Sequence, residues 1–569
     1  MKKITLFFLI IFSHILFSQK VTETEKLATT CKVWGFLKYY HPKVAAGEFN
    51  WDQQLIDILP KVEKAQTRKE FSLVISNWID TLGEVPLIAP IAEPKDVKFF
   101  DKNFDLSWIN TSALFSRNLS AKLKFIEENR FQSNTEFNPD FDAFKTVKNY
   151  FDLDYNNKSN RLLMTFAYWN AIEYFFPYKY IMDQKWDITL NEILPAMVEA
   201  KNSDEFNKAL RKMSTKLNDS HVMFHIYPDA TTVKSPVYFP ATGKIIDEKL
   251  VITEILGDSL AEADNIKIGT VITKINNKTI KELIEEKRDV VSASNEVSYQ
   301  NRIIASLLKS ESENVKVEFL TNGKYETKAM KWFNYHDSHR NEFKKGAQKK
   351  KDKFKLLENN IGYVNMGEIK PKNIPDMIEN LKSTKAIVFD MRNYPKGTFK
   401  EISDFLNPEE KKFCDYTYPS LNYPGRFVFE EGRKAGFANK DHYKGKVIVL
   451  LNEDSISQSE WTAMCFQTAG NTTIIGSQTA GTDGNNFEFD FRGFHTAFTG
   501  IGVYYPDGRE TQRIGIVPDI EVKPTIKGIQ EGRDEVLEKA LSFIEKGELK
   551  TQDSQKQQAT IKNLENLKN

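Results

Sequence analysis

Val447-Ile-Val-Leu-Leu-Asn-Glu-Asp-Ser-Ile-Ser-Gln-Ser-Glu460 decides how this chain is read. A β-branched apolar run stops at a polar turn, and Ser457 then opens an amphipathic run from Trp461 to Ala469. Short apolar runs bounded by turns read as buried strands, and helical spacing after them reads as a helix. A serine handed from a strand to the first turn of a helix sits at the positive end of the helix dipole, beside free backbone N–H groups. That placement suits a nucleophile whose attack creates an oxyanion. Ser457-Gln-Ser-Glu460 equally fits a capping box, in which the serine bonds the N3 amide and the glutamate reaches back. The rest of the chain has to decide between them.

The chain has 569 residues, enough for three or four domains. Hydrophobic content of 40% with 12% aromatics supplies real cores. With 79 basic and 78 acidic residues the net charge is +1, so no global field favours nucleic acid or a membrane surface. Met1 to Ser18 reads as a secretory signal: Lys2 and Lys3 precede the apolar stretch Ile4–Leu16, and cleavage is expected before Gln19. No cysteine stands at that point, which argues against a lipid-anchored start, and no later segment is a membrane-length apolar run. An exported protein, periplasmic or extracellular and without stable membrane insertion, is expected. Cys31, Cys414 and Cys465 form no CxxC and allow at most one bridge. The eight histidines form no HExxH and no His-rich tract, so a metal enzyme is not expected, and no organic cofactor is implied.

Residues 27–82 align without gaps with 162–217, at a constant offset of 135. Trp34, Tyr39, Pro42, Trp51, Leu55, Pro60 and Phe71 match Trp169, Tyr174, Pro177, Trp186, Leu190, Pro195 and Phe206. Apolar spacing in both copies is helical, so each is expected to be a small helical unit with its tryptophans in the core. The ends differ. The first copy finishes Leu82-Gly-Glu-Val-Pro86, without a titratable base, whereas the second finishes Leu217-Asn-Asp-Ser-His221. Asp219-Ser220-His221 also fits plain turn chemistry, but a histidine kept in only one copy points to catalysis. Asp337-Ser338-His339 repeats the tripeptide inside a Lys-rich connector that offers no scaffold, and is discounted.

Between 240 and 332 short β-rich runs alternate with turns: Leu250–Ile255, Ile268–Lys278, a helix from Ile280, and Val315–Leu320. The run Ile268-Gly-Thr-Val-Ile-Thr-Lys-Ile-Asn-Asn-Lys278 resembles a PDZ domain, with Thr270 where Asp is usual. PDZ modules bind extended peptides by strand addition. From 354 onward strands and helices alternate as in α/β folds: strand 361–366, helix 373–383, buried strand 386–391, strand 447–451, the helix after Ser457, and Thr473–Gly476. The strand ending at Asp390 runs into Arg392-Asn-Tyr-Pro-Lys-Gly397, a turn able to aim backbone N–H groups at a site.

These residues together resemble the tail-specific (C-terminal-processing) and tricorn-core serine proteases. Leu217–His221, the PDZ-like stretch, Phe389-Asp-Met-Arg-Asn-Tyr-Pro-Lys-Gly397, Ser457–Glu460 with Ile475-Gly-Ser-Gln-Thr-Ala-Gly481, and Gly515–Ile520, which matches the family's closing strand, carry the resemblance over roughly 160–525. It implies a multidomain α/β protein with a crotonase-like core. The expected order is signal peptide 1–18, helical copy 19–89, irregular linker 90–155 with some short helix, and helical copy 156–230 carrying Ser-His. A PDZ-like domain 235–335, Lys-rich connector 336–353, α/β core 354–545 and flexible tail 546–569 follow.

The processing branch of this family places a general-base lysine 25 residues after the nucleophile. Here that position is Thr482, which cannot deprotonate a serine. The resemblance then implies the tricorn-like pattern: Ser457 as nucleophile, His221 as general base, and Ser220 orienting the imidazole. A glutamate polarises that serine in this pattern. Gln512 stands at the expected place, three residues before Gly515, and Glu510 is the candidate if a bulge in the strand brings both side chains to one face, with Gln512 its competitor. The amides of Gln458 and Gly397 would form the oxyanion hole, with Lys396 where the family has a second glycine. The expected activity is that of an exported serine endopeptidase acting on peptide docked by the PDZ-like module. The rival is a non-catalytic exported protein binding peptide or glycan on a decayed scaffold.

Overall fold

The two related stretches fold alike. Glu23–Tyr40, Trp51–Lys64 and Arg68–Asp80 are helices, and Lys158–Phe175, Trp186–Glu199 and Ser203–Thr215 start and end 135 residues later. Each copy is closed by a reciprocal pair of indole bonds. Trp34 Nε1 donates to the Trp51 carbonyl at 3.2 Å and Trp51 Nε1 to the Trp34 carbonyl at 3.1 Å. Trp169 and Trp186 do the same at 3.2 and 3.0 Å. These bonds satisfy the indole N–H groups of rings buried in the shared core. The copies pack on each other where Gly35 in one corresponds to Asn170 in the other. Asn170 Nδ2 donates to the Cys31 carbonyl at 3.0 Å and to the Phe166 carbonyl at 2.9 Å. A Cβ at position 35 would lie 1.7 Å from Asn170 Oδ1, so only glycine leaves room.

The computed structural model describes residues 20–133, 154–226, 236–334, 352–491 and 494–546. The expected signal peptide, residues 134–153 of the linker, residues 336–351 with Asp337-Ser338-His339, and the tail from 547 lie outside the described residues. Within the stretch read as an irregular linker, Trp108–Thr111 and Arg117–Glu128 are helices. Lys98–Phe100 is a strand, pairing with Phe427–Glu430 of the α/β core.

Residues 236–334 form a β-rich module whose main sheet runs Lys324–Lys331, Asn314–Thr321, Val271–Ile275, Lys249–Ile255, Ala241–Ile246, with antiparallel neighbours throughout. The helix Glu296–Leu307 packs against the edge strand Ala241–Ile246.

The core sheet has the order Phe354–Leu357, Ile361–Asn365, Ala386–Asp390, Lys446–Leu451, Thr472–Gly476, Ile520–Glu521, parallel from the second strand on. Its apolar runs follow from burial on both faces. Ile387, Phe389, Val447 and Val449 join the layer made by the helices Ile374–Leu381, Phe399–Leu406 and Gln458–Gln467. Ala386, Val388, Ile448 and Leu450 face the opposite layer, under the helix Glu535–Lys546. The protein is thus a multidomain α/β fold. The segment Gly515–Ile520 was expected to be a strand, yet only Ile520 and Glu521 pair in the sheet. Parallel strands bring their carboxyl ends to one edge, where ligand sites of such sheets form. Ser457 lies at that edge.

Candidate active site

Ser457 follows the strand Lys446–Leu451 by a short turn and heads the helix Gln458–Gln467. Its backbone is at φ 54°, ψ −116°, a conformation that side chains other than glycine rarely hold. Two contacts fix it. The Ser457 N–H donates to the Thr482 carbonyl at 2.8 Å and to Glu460 Oε2 at 3.1 Å. The second is the returning half of the capping box anticipated from sequence.

Glu460 does more than cap. Its Oε1 accepts from the Thr479 hydroxyl and from the Gly481 N–H at 2.8 Å, and its Oε2 also accepts from the Thr482 N–H at 3.0 Å. One carboxyl therefore clamps the 479–482 turn against the Ser457 turn. Burial pushes this carboxyl up to about 7, against the downward pull of these donated bonds. Asp483 is also buried, and burial followed by the Glu460 charge raises its carboxyl well above the usual range. Its Oδ1 accepts from the Gly484 N–H at 2.7 Å, while its Oδ2 has no partner among the described residues.

The turn after Asp390 is the expected second wall. Asp390 pairs in register with Leu450 on the neighbouring strand, so the two loops leave the sheet side by side. Ser455 Oγ ties them by donating to the Met391 carbonyl at 3.0 Å. Arg392 is held between the carboxylates of Asp390 and Asp534 at 2.7–2.9 Å, which anchors the turn at its base. At its far end Gly397 has φ +69°, and a Cβ there would meet nothing within 4 Å. Lys396 is exposed, 3.9 Å from Glu368. The N–H groups of Gln458 and Gly397 enter no hydrogen bond with the described residues.

His221 comes from the end of the second helical copy. No hydrogen bond joins it to Ser457; the link runs through Thr482. The Thr482 carbonyl holds the Ser457 amide, while the Thr482 hydroxyl accepts from the Ser220 N–H at 3.1 Å and donates to Asp219 Oδ1 at 3.3 Å. Position 482, where a catalytic lysine was sought and not found, is thus the joint between the serine and histidine segments. His221 Nδ1 lies 2.8 Å from Thr499 Oγ1, and Nε2 has no partner among the described residues. Burial lowers the imidazole below its usual value, with Asp219 opposing and Arg302 adding to the fall. Arg302, on the helix Glu296–Leu307 of the β-rich module, donates to the Ser220 and Val222 carbonyls, each at 2.6 Å. It grips the backbone on both sides of the histidine.

Two expected contacts are absent. The Ser220 hydroxyl does not bond the imidazole; it contacts Ser298 Oγ at 2.7 Å and the Ala480 carbonyl at 3.3 Å, and accepts from the Ser294 N–H at 2.9 Å. Glu510 does not reach Ser220. It accepts from the Tyr180 hydroxyl at 2.8 Å, lies 3.5 Å from Lys102, and forms an isolated bridge with Tyr504. With no strand at 510–512, the bulge that would align the two side chains does not arise. Gln512 instead places Nε2 3.3 Å from Asp219 Oδ1. Sequence reasoning missed Thr499 and Arg302, distant in the chain from His221, and treated Asp219 as turn chemistry although it adjoins the Ser-His pair. The described residues hold no group of histidine, cysteine or acidic side chains able to bind a metal.

Residues 360–522 match Peptidase family S41. Among solved structures, mature CPAF is 12% identical at a TM-score of 0.54, over 69% of this chain and 99% of that one. Mature CPAF complexed with lactacystin is 12% identical at 0.53, over 68% and 99%. A putative peptidase from Parabacteroides merdae is 15% identical at 0.40, over 66% and 94%. At these identities the likeness to CPAF is one of fold. No match was found among curated proteins.

Proposed function

We propose that this chain, whose residues 360–522 form an S41 serine-peptidase domain, is an exported endopeptidase acting through Ser457 and His221. The observation that carries the reading is the strained Ser457 backbone at a helix start beside the unbonded Gln458 amide. Strain of this kind costs about 1–3 kcal/mol and persists where the surroundings impose it, as at nucleophile turns. Catalytic hydrogen bonds are often loose without substrate, so the indirect link between serine and histidine is compatible with chemistry.

In the first step Ser457 Oγ bonds to the scissile carbonyl carbon while its proton passes to His221 Nε2. The carbonyl oxygen becomes an oxyanion, received by the N–H groups of Gln458 and Gly397. Collapse breaks the C–N bond, and the leaving amine takes the proton from Nε2. Water then repeats the sequence on the acyl-enzyme and frees Ser457. A lowered imidazole keeps the base neutral at ordinary pH.

Peptide docking belongs to the β-rich module. Among the described residues the strand Ala241–Ile246 ends its sheet, pairing only with Lys249–Ile255, and lies beside the helix Glu296–Leu307. An edge strand next to a helix offers backbone groups to an added strand, the mode used by PDZ domains. Export rests on the charged and apolar pattern of Met1–Ser18.

The test is turnover of fluorescein-labelled casein by the full-length protein. Hydrolysis lost in both Ser457→Ala and His221→Ala is expected. Casein bound but uncleaved by the folded wild type would favour a peptide-binding protein on a decayed site.

A further inference from the structure

The chemistry above needs His221 in one particular tautomer, and the expected orienting pair of Ser220 and Glu510 does not supply it. We infer that Thr499 and Asp219 are the positioning residues of His221, forming a His221–Thr499–Asp219 relay; this rests on the Ser457–His221 reading. Asp219 is fully buried. The Thr499 hydroxyl lies 2.9 Å from Asp219 Oδ1 and 2.8 Å from His221 Nδ1.

Counting hydrogens fixes the direction of these bonds. A hydroxyl carries one hydrogen, and an ionised carboxylate only accepts. The Thr499 hydrogen therefore points to Asp219, which leaves lone pairs for Nδ1. Nδ1 must then carry the imidazole proton, and the free lone pair sits on Nε2, where a base for Ser457 needs it. The carboxylate is itself held in place. Its Oδ2 accepts from the Thr499 N–H at 2.7 Å, and its Oδ1 from the His221 N–H at 3.0 Å. Thr482 Oγ1 and Gln512 Nε2 each approach Oδ1 at 3.3 Å. When Nε2 takes the proton of Ser457, the Thr499 dipole and the Asp219 charge stabilise the imidazolium. No proton leaves Nδ1. The relay orients and stabilises, as an aspartate does directly in Ser-His-Asp sites.

Asp219→Asn puts an amide donor in reach of Thr499 Oγ1. The hydroxyl would then turn towards Nδ1 and drive the proton onto Nε2. The rate at which a fluorophosphonate probe labels Ser457 should fall by up to roughly 10⁴-fold, the scale seen when a catalytic histidine is held in the wrong tautomer. Thr499→Val should also slow labelling and change its pH profile, and Thr499→Ser should restore both.

Because Asp219→Asn disturbs buried bonds, the tautomer is also read directly. Nitrogen NMR of uniformly ¹⁵N-labelled wild type at pH 8, with the His221 signals assigned by their loss in His221→Gln, should show a protonated Nδ1 and a bare Nε2. A bare Nδ1, or wild-type labelling rate and pH profile in Thr499→Val, would overturn the relay. Wild-type protein with a protonated Nδ1 but no label on Ser457 would instead overturn the nucleophile and leave the relay standing.

Discussion

Ser457 holds a backbone shape that serine ordinarily avoids, and the side chain imposing it, Glu460, is a buried carboxyl raised to about 7. Beside it Asp483 has one oxygen unpaired among the described residues, and burial and Glu460 raise its carboxyl as well. A raised carboxyl binds its proton more tightly in the folded state. Its stabilising contribution is therefore full below the unfolded pKa and is lost as pH rises through the folded value. Asp483→Asn removes the charge that high pH would force onto a buried, half-satisfied group. The variant should gain stability at pH 8, by about 1–3 kcal/mol, and little at pH 4.5. Denaturant melts at both pH values check this, and an equal change at both would contradict it.

Arg302 makes a second residue-scale prediction. Its guanidinium lowers the His221 imidazole and grips the carbonyls on either side. Arg302→Gln should slow Ser457 labelling and move its acid limb to higher pH, because a positive charge has gone. A slower rate with an unmoved limb would assign Arg302 to the fold alone. At this scale Ser457 and His221 stood out in the sequence as candidates, because a strand–serine–helix junction and a histidine present in one copy only are local patterns. Thr499 did not, since it meets His221 across 278 residues and nothing near it marks the partnership. Glu510 was chosen by position, and the Tyr180 hydroxyl and Lys102 draw it away from Ser220.

Among elements, the duplicated helical units show how a pseudosymmetric pair closes. Gly35 and Asn170 occupy equivalent places, and the asparagine fills the room the glycine leaves. Gly35→Ala should destabilise the protein by about 1–3 kcal/mol through overpacking. Asn170→Ala in the same chain should recover part of that loss, a non-additivity that a double-mutant cycle measures. Helices and buried strands were legible because their 3.6- and 2-residue periods are written in the apolar pattern. The closing strand was not. The apolar residues of Gly515–Ile520 read as extended, yet Ile516 donates its N–H to Thr479 Oγ1 at 2.7 Å, not to a neighbouring strand. The strand Lys98–Phe100 was equally hidden, because its partner lies more than 300 residues away.

In the whole molecule the candidate site belongs to no single unit. The second helical copy supplies His221, the α/β core supplies Ser457, and the β-rich module grips both. Besides Arg302, the module places Lys244 against Glu453 and Asp454, just before the nucleophile, and Asn301 Nδ2 2.8 Å from Asp454. Lys244→Glu would set a carboxylate against two others. It should slow Ser457 labelling at least tenfold at low salt, with partial recovery at high salt as the repulsion is screened. An unchanged rate would show that the module docks without bearing on the site. The interlocking of these units was not legible in the sequence, because it rests on single polar contacts between distant segments.

The most direct test of the central claim is peptide-mapping mass spectrometry of the full-length protein after fluorophosphonate treatment. One adduct on Ser457 is expected, lost in His221→Ala and kept in His339→Ala. An adduct on another serine, or none in folded protein that cleaves casein, would contradict Ser457 as the nucleophile.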